Sequence, residues 1–231
     1  MKEPNDCKSC NSRKNSVFKC AAQGTLTSIT AEKTNLHFKK KEMIFHDSDS
    51  AKGFYCIKSG SVRTYKISQT GKVQTFQIED GGKWLGFRDL ISGEIFNHDA
   101  ICVTDTEVCY IRKDTVGRLM RTDGSFQIEV MKYLASEWKK SENQAYAFSA
   151  TTMDSRLAEL LLTLQKAAGN LDEFSILITR EIMGSCIGIT TEALIRALSE
   201  FKKRGLIEIE KEKIKILNKE ALQFYIETNF Q

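Results

Sequence analysis

Residues 178–217 constrain the fold of this chain more than any other stretch. Thr179 is a good N-cap for a short helix whose apolar face includes Ile182 and Met183. Gly188 then interrupts the helical pattern, as a turn between two crossing helices requires. The pattern therefore predicts a helix, a tight turn and a second helix.

The second helix is predicted to have one buried face and one exposed face. Either Thr190 or Thr191 can cap its N-terminus. The apolar residues that recur at helical spacing, and should face inward, are Ala193, Leu194, Ala197, Leu198 and Phe201. Glu192, Ile195 and Arg196 fall on the opposite side. At this exposed first turn a carboxylate can accept from cytosine N4, and a guanidinium can donate to guanine O6 and N7.

A hairpin is predicted to follow the second helix. Gly205 ends the helix, and apolar and polar residues alternate in LIEIEKEKIKIL, residues 206–217. Two helices and a hairpin in this order outline a winged helix-turn-helix, a shape that places one helix in the major groove of DNA. The alternative interpretation is a helical corner followed by a hairpin, with no DNA role.

The charge of the C-terminal third keeps that alternative open. Residues 151–231 contain 11 Lys plus Arg and 12 Asp plus Glu, so their net charge is 11 − 12 = −1. Because DNA-binding domains are usually basic, any attraction to phosphates must be local here. The cations available for it are Arg180, Arg196, Lys202, Lys203 and Arg204. A regulator that binds protein through a degenerate helix-turn-helix is the competing hypothesis.

The overall composition places the chain in a broad class. Its 231 residues suffice for two modest domains, and a formal net charge of +4 says little about partners. The polar N-terminus is not a signal peptide and no apolar run reaches membrane-spanning length, so we expect a cytoplasmic protein without a membrane partner. The sequence has no GxxxxGK[ST], HExxH or GxSxG motif, which argues against an enzyme.

The rest of the chain divides into a β part and a helical part. From about residue 38 to residue 112, short alternating runs are broken at Ser59-Gly60 and Thr70-Gly71, which look like hairpin turns. Such a series of strands predicts a small barrel or roll. The predicted segments are an irregular cysteine-containing leader (1–22), a β-roll (23–124), a long helix (125–150) and the winged helix-turn-helix domain (151–231).

The long helix is predicted to form a contact between two subunits. Residues spaced alternately three and four apart along it are Met131, Leu134, Trp138, Ser141, Ala145 and Phe148. This seam spans about 25 Å at 1.5 Å per residue, which is more than a helix needs to cover a small roll. We therefore predict a homodimer in which Met131, Leu134, Trp138, Ala145 and Phe148 form the interface. Packing of the helix on its own roll is the alternative.

A β-roll, a long helix and a C-terminal winged helix-turn-helix together resemble the Crp/Fnr family of bacterial transcription regulators. The strongest resemblance lies in ITREIMGSCIGITTEALIRALSEFKKRGLI (178–207), and a second lies in the glycine-centred GGKWLGFRDLISG (81–93). The resemblance implies an α+β fold with a jelly-roll-like sensor domain. It also implies a homodimer that binds a palindromic operator on double-stranded DNA under the control of a signal sensed in the N-terminal domain. RNA polymerase is a further partner that the family implies.

The resemblance assigns roles to residues of the helix-turn-helix. Glu192 and Arg196 match the base-reading residues, while Thr179 and Arg180 match a phosphate-contacting helix start. Ile195 replaces a small or polar residue, and a thymine methyl group is a plausible partner for it. The residues predicted to bind DNA are Thr179, Arg180, Thr190, Thr191, Glu192, Ile195 and Arg196.

Three hypotheses compete for the signal, and the first is a cyclic nucleotide. In the family, cAMP binders resemble one another in a Glu after the glycine, for the ribose, and an Arg-Ser or Arg-Thr pair, for the phosphate. Here Phe87 follows Gly86, and the later position carries Phe96-Asn97. No arginine lies between Arg88 and Arg112, and a buried phosphate without a cation is costly. We therefore do not expect cAMP to bind.

The second hypothesis is an iron–sulfur cluster on cysteines. The Fnr branch uses three N-terminal cysteines and one in a late sensor strand, which suggests Cys7, Cys10, Cys20 and Cys109 as tentative ligands. The spacing departs from that branch, because nine residues separate Cys10 from Cys20 where the branch has about five. Free or redox-active thiols, or a zinc ion held by Cys7 and Cys10, are the alternatives.

The third hypothesis is haem, nitric oxide or another small molecule in the roll. The chain contains three histidines, His37, His46 and His98, and we assign none of them a ligand role. The cysteines expected to be ordinary packing residues are Cys56, Cys102 and Cys186.

Overall fold

A computed structural model of the chain describes residues 6–227, which form two compact units. The first unit is built from most of residues 6–139, and the second is built on residues 140–227. The first contains a β-sandwich, and the second contains helices and a small sheet. This arrangement confirms the predicted α+β architecture of a sensor-type roll, a long helix and a helix-turn-helix domain.

The β-sandwich consists of two four-stranded sheets. Its strands are Thr34–Phe38 (β1), Met43–Phe45 (β2), Gly53–Ser59 (β3), Val62–Ile67 (β4), Val73–Glu79 (β5), Trp84–Leu85 (β6), Asp99–Cys102 (β7) and Thr106–Arg112 (β8). The strand orders are β1-β8-β3-β6 and β2-β7-β4-β5. The break at Thr70-Gly71 joins neighbouring strands, as predicted. The break at Ser59-Gly60 is not a hairpin, because β3 and β4 belong to different sheets.

Four helices accompany the β-sandwich, and the last of them continues into the second unit. They are Gln23–Glu32 (α1), Phe87–Ser92 (α2), Lys113–Thr122 (α3) and Gly124–Ala150 (α4). The boundary between the two units falls within α4, between Lys139 and Lys140. The long predicted helix is therefore one continuous element.

The leader is more ordered than its sequence suggested. Residues 1–5 lie outside the described part, but Asn11–Asn15 and Val17–Cys20 form two short 3-10 helices. Phe18 is buried, with its ring centroid 4.9 Å from that of Trp84 and 5.8 Å from that of Phe126. An aromatic cluster of this kind fixes the segment because each ring buries a large apolar area. The prediction of an irregular leader was wrong for these residues.

The second unit surrounds a helix-turn-helix. Its elements are Met153–Ala167 (α5), Glu173–Ser175 (β9), Arg180–Ile187 (α6), Thr191–Lys203 (α7), Ile207–Glu210 (β10), Lys213–Ile216 (β11) and Lys219–Glu227 (α8). The predicted two-stranded wing gains a third strand, in the order β10-β11-β9. The side chains that fill its core include Leu157, Leu161, Met183, Leu194, Phe201, Ile214 and Leu222.

No single helix in the described range has both the length and the apolar character needed to cross a membrane. The helices α6 and α7 meet that test only together, and they are bent by 93°.

Asp123 caps the long helix α4 and supplies a test of its stability. The Phe126 amide donates to Asp123 Oδ1 at 3.0 Å, and the Thr25 hydroxyl donates to Oδ2 at 2.5 Å. Hydrogen bonds from Ser125, Thr25 and the Phe126 amide lower the pKa of Asp123 from 3.8 to about 2. Because the folded-state pKa is lowered, this contribution to stability is present above pH 3.8 and is lost as the pH falls toward 2.

We predict that Asp123→Ala lowers the free energy of unfolding at pH 7 by about 1 kcal/mol, the usual effect of losing an N-cap. Asp123→Asn keeps an acceptor oxygen but cannot titrate, so it should lose less stability at pH 7 and show a smaller fall in stability between pH 4 and pH 2. Urea unfolding across this pH range measures both effects. An identical acid dependence in Asp123→Asn and the original protein would contradict the assignment.

Candidate functional site

Two glycines allow the helices α6 and α7 to cross closely. Gly188 ends α6 with a φ of 75°, and a Cβ at this position would lie 3.1 Å from the Phe148 ring. Gly184, inside α6, would place a Cβ 2.9 Å from the Ile189 carbonyl oxygen. A left-handed φ and a close backbone approach are the two situations that favour glycine. The predicted turn at Gly188 is thus explained, whereas the packing role of Gly184 was not predicted.

Threonine hydroxyls cap both helices of the motif. The Thr179 hydroxyl accepts from the Ile182 amide at 3.3 Å at the start of α6. The Thr190 hydroxyl accepts from the Ala193 amide at 3.2 Å at the start of α7. Thr190 is therefore the N-cap, and Thr191 is the first residue of the helix. These bonds satisfy amides that would otherwise lack a partner and so define where each helix begins.

The first turn of α7 exposes the side chains that the sequence predicted to face outward. Glu192 and Arg196 are exposed, and Ile195 retains 51% of its accessible surface. The pKa of Glu192 is lowered by a hydrogen bond from its own backbone amide and then by the Thr190 hydroxyl, so the carboxylate is charged at neutral pH. The opposite face is buried through Leu194, Ala197, Leu198 and Phe201. This face holds the helix to the domain and leaves an acceptor and a donor directed outward.

The start of α6 holds a less exposed cation. Thr179 is exposed, but Arg180 is only partly so, and its Nη1 lies 3.2 Å from the Met183 sulfur. Burial lowers the pKa of Arg180 below its ordinary value. The side chain that the sequence predicted as a phosphate contact therefore rests partly against its own helix.

The basic end of α7 is largely engaged within the domain. Arg204 donates to the Tyr225 hydroxyl at 2.7 Å and to Glu200 at 3.2 Å, and it lies 3.7 Å from an oxygen of Asp154. Lys203 lies 3.9 Å from Glu200. Arg204 thus links α7 to other parts of the domain, and its suggested contact with phosphates stays a prediction.

Arg156 supports the motif in a way that the sequence did not reveal. Its Nε donates to the Ile187 carbonyl at 3.0 Å, and its Nη1 donates to the Thr151 carbonyl at 2.7 Å. The guanidinium also lies 5.9 Å above the Phe148 ring centroid. Arg156 therefore donates hydrogen bonds to carbonyls at the C-terminal ends of α4 and α6, where a cation is favourable. Its acceptors are backbone atoms, so no side-chain pattern could have indicated this role.

The helix α4 exposes much of its predicted seam. Met131 and Trp138 retain 60% and 69% of their accessible surface, and Ala145 and Phe148 are also exposed. Leu134 differs, because it is half-buried against the core of the first unit. Two large apolar side chains outside the predicted set, Ile128 and Tyr146, are exposed on the same helix. The exposed area leaves α4 able to bind a partner surface.

The segment that would hold a cyclic nucleotide is filled by protein side chains. Gly86 is left-handed, and a Cβ there would lie 2.4 Å from Phe96, whose ring stacks on Phe45 at 4.0 Å. Arg88 donates to Asp89 Oδ1 at 2.8 Å and also to Asn97. Within residues 6–227, Asp89 is fully buried and its Oδ2 has no hydrogen-bond partner. The segment's arginine is therefore already neutralised by a buried carboxylate that would repel a phosphate.

The cysteines predicted as cluster ligands do not all meet. Cys7, Cys10 and Cys109 line one cavity of about 30 Å³, whereas Cys20 is exposed and is not part of its lining. Cys56, which was expected to be a packing residue, packs against the core and also lines this cavity. Among the described residues, no three His, Cys, Asp or Glu side chains are arranged closely enough to hold a metal ion. The tentative set that includes Cys20 therefore does not fit an iron–sulfur cluster.

The three histidines, which were assigned no ligand role from the sequence, make ordinary surface or packing contacts. His37 lies 3.0 Å from Glu107, and His46 lies 3.6 Å from Asp99. Burial lowers the pKa of His98, so this ring is neutral at pH 7. None of these contacts suggests a haem ligand.

Comparisons with known proteins assign each domain. A cyclic nucleotide-binding domain model matches residues 35–123, and a Crp-like helix-turn-helix domain model matches residues 155–225. Electron transport regulator A of Shewanella oneidensis is 28% identical over 188 residues, which cover 80% of this chain and 75% of that protein. The fumarate and nitrate reduction regulatory protein of Escherichia coli (strain K12) is 26% identical over 190 residues, with the same shares of each chain.

The fold is also similar to that of a solved regulator. The structure of FixK2 from Bradyrhizobium japonicum matches with a TM-score of 0.75 at 23% identity, covering 84% of this chain and 96% of that one. The two domain models and the similar proteins agree with the geometry of the sandwich and the helix-turn-helix. This chain belongs to the Crp/Fnr family of transcription regulators.

Proposed function

We propose that the protein is a homodimeric, sequence-specific DNA-binding regulator that reads a palindromic operator with helix α7. The observation that carries this proposal is the exposure of Glu192 and Arg196 on a first turn whose opposite face is buried. A charged acceptor and a donor fork on one exposed turn match the hydrogen-bonding groups of the major groove. The local charge at this turn matters more than the net charge of the domain.

Each side chain has a distinct part in the proposed reading. The Glu192 carboxylate accepts from cytosine N4, and the Arg196 guanidinium donates to guanine O6 and N7. Ile195 lies between them in sequence and offers an apolar contact to a thymine methyl group. The α6 start at Thr179 and Arg180 contacts phosphates, which fixes position without reading sequence.

The proposed dimer forms through helix α4. Met131 and Trp138 are large, apolar and exposed, and such side chains are typical of protein interfaces. A two-fold dimer presents two α7 helices, so the operator is expected to be a palindrome with half-sites one DNA turn apart. In this proposal residues 23–124 sense the signal, residues 125–150 form the dimer and residues 151–231 bind DNA. RNA polymerase is the proposed further partner.

The proposed signal is a redox or oxygen-related one rather than a cyclic nucleotide. Arg88 is neutralised by the buried Asp89, and the sandwich contains a cavity lined by cysteines. Two of the similar proteins are named for electron transport and for fumarate and nitrate reduction. The signal would act by shifting the population between DNA-competent and DNA-incompetent dimers.

We predict that Arg196→Ala weakens binding to a preferred operator by about 1–3 kcal/mol at fixed salt, the usual cost of one bidentate base contact. The operator is first selected from a random DNA pool with the unmodified protein. Fluorescence anisotropy then compares the variant with Lys166→Ala, which removes the same charge from an exposed position on α5. Equal affinity of the two variants would refute base reading. Failure of the unmodified protein to select any sequence would favour the protein-binding alternative.

We predict that Trp138→Glu produces monomers, because a charge replaces a large apolar side chain at the centre of the proposed interface. Light scattering coupled to size exclusion measures the mass. Glu142→Gln, an exposed polar position on the same helix, should leave the dimer intact. A Trp138→Glu protein that remains dimeric would show that α4 is not the interface.

We predict that cAMP leaves operator affinity unchanged. The physical reason is that Arg88 of the glycine-centred segment is already paired with the buried Asp89 carboxylate. Anisotropy titrations with and without cAMP measure the effect, and calorimetry of the protein alone should detect no binding heat. A saturable increase in operator affinity would contradict the assignment.

A further inference from the structure

We propose that Cys7, Cys10, Cys56 and Cys109 together form a binding site for one thiophilic divalent metal ion of the zinc class. The site lies in the first unit, and its occupancy is independent of the proposed base reading by α7. The inference rests on the convergence of four thiols, on the size of the space between them and on the charges around it.

Four thiols from three separate chain segments line one cavity. Cys7 and Cys10 come from the turn before the first 3-10 helix, Cys56 comes from β3 and Cys109 comes from β8. Cys56 and Cys109 are direct partners across the antiparallel pair, so their side chains share one face of the sheet. Two rigid strand positions therefore face a Cys-x-x-Cys turn, and four thiolates are the usual ligand number for structural zinc.

Cys56 takes the place that Cys20 was expected to fill. A third N-terminal ligand separated from Cys10 by five intervening residues would fall at position 16, which is Ser16 in this chain. The Ser16 hydroxyl is used locally, since it donates to the Arg13 carbonyl at 2.9 Å and accepts from the Phe18 amide at 3.1 Å. Ser16 also lines the cavity, but its side chain carries no sulfur. In this proposal Cys56 provides the remaining sulfur ligand.

The size of the cavity selects a single ion. Its volume is about 30 Å³, above the roughly 10–15 Å³ that a cavity needs to hold one water molecule. A four-iron cluster carries four irons and four sulfides and needs several times that space. One divalent ion with its four sulfur ligands at about 2.3 Å is the better match.

The charges around the cavity suit an anionic centre. Three of its lining residues are cations, Arg13, Lys33 and Lys58, and none is a carboxylate. Lys58 also contacts Glu107 at 2.7 Å, outside the lining. When four thiols bind a divalent ion they release four protons, and the resulting centre has a net charge of 4 × (−1) + 2 = −2. Cations placed around such a dianion lower the cost of burying it.

When no metal ion is bound, the ammonium group of Lys33 contacts the thiols. Its Nζ lies 3.4 Å from Cys109 Sγ, and it also interacts with the Cys7 thiol. Among the described residues, the sulfur atoms do not converge on one point. Metal binding therefore requires the Lys33 ammonium to move away from the thiols. It also requires the side chains of Cys7 and Cys10 to rotate toward the cavity. Cys7 and Cys10 are only partly buried, whereas Cys109 is held within a strand, so the turn supplies this movement.

The test uses the full-length protein, reduced and stripped of metal under argon. Titration with Co²⁺ as a spectroscopic probe should give one equivalent per chain with the sulfur-to-metal charge-transfer and tetrahedral absorption of four thiolates. Zn²⁺ should displace it, and a chelator competition gives the affinity. We expect Cys56→Ser to weaken Zn²⁺ binding by more than about 100-fold. Loss of a hydrogen bond to a metal ligand usually costs about 10–100-fold, and loss of the ligand itself should cost more. Cys20→Ser is the matched control and should bind as the unmodified protein does.

Each outcome decides the proposal. Stoichiometric binding that needs Cys56 but not Cys20 supports it, whereas loss of binding in Cys20→Ser, or no binding by the unmodified protein, overturns it. If Cys56→Ser fails to fold, Cys10→Ser on the partly exposed turn replaces it, with the same expected loss. Reconstitution with iron and sulfide is the second arm, and a stoichiometric cluster formed there would overturn the single-ion assignment. No DNA is present in these measurements, so they stand apart from the operator experiments.

Discussion

The division of helix α7 into a buried face and an exposed face is the constraint on which the DNA-reading hypothesis depends. Leu194, Leu198 and Phe201 are almost completely buried, and each contributes roughly 1.5–3 kcal/mol by leaving water. This burial fixes the rotation of the helix about its own axis. Once that rotation is set, Glu192 and Arg196 must face outward. The side chains proposed to read bases are thus placed by residues on the opposite, buried face of the helix.

The parts of the fold that follow from local patterns could be predicted, and those that follow from distant pairing could not. Threonine caps and periodic apolar residues located α6 and α7, because a helix forms from neighbours in sequence. The three-residue strand β9 is too short for a pattern, and β3 and β4 separate into two sheets only through their partners. Arg156 was missed for a related reason, since it recognises backbone carbonyls. The replacement of Cys20 by Cys56 depends on the register between β3 and β8, which no spacing rule contains.

The β-sandwich combines a shared fold with its own side chains in the segment where a cyclic nucleotide was considered. The sandwich matches a cyclic nucleotide-binding domain over residues 35–123, yet its glycine-centred segment holds a buried Asp89 and packs against Phe96. Fold and function are separable because binding depends on a few side chains placed on the scaffold. In this chain the aromatic ring takes up space next to Gly86, and the carboxylate opposes an anion. The cavity lined by Cys7, Cys10, Cys56 and Cys109, by contrast, has cations in its lining.

That cavity has a direct physical connection to the long helix. Phe18 belongs to its wall, and the same ring stacks on Phe126 of α4 at 5.8 Å and lies 4.9 Å from Trp84. Phe126 sits one turn after the Asp123 cap, so it belongs to the first turn of the helix proposed to form the dimer. Dense aromatic packing resists small gradual shifts, so inward rotation of the Cys7–Cys10 turn must be accommodated by Phe18 and its neighbours. The thiols and the first turn of α4 are therefore linked by a continuous set of packed side chains.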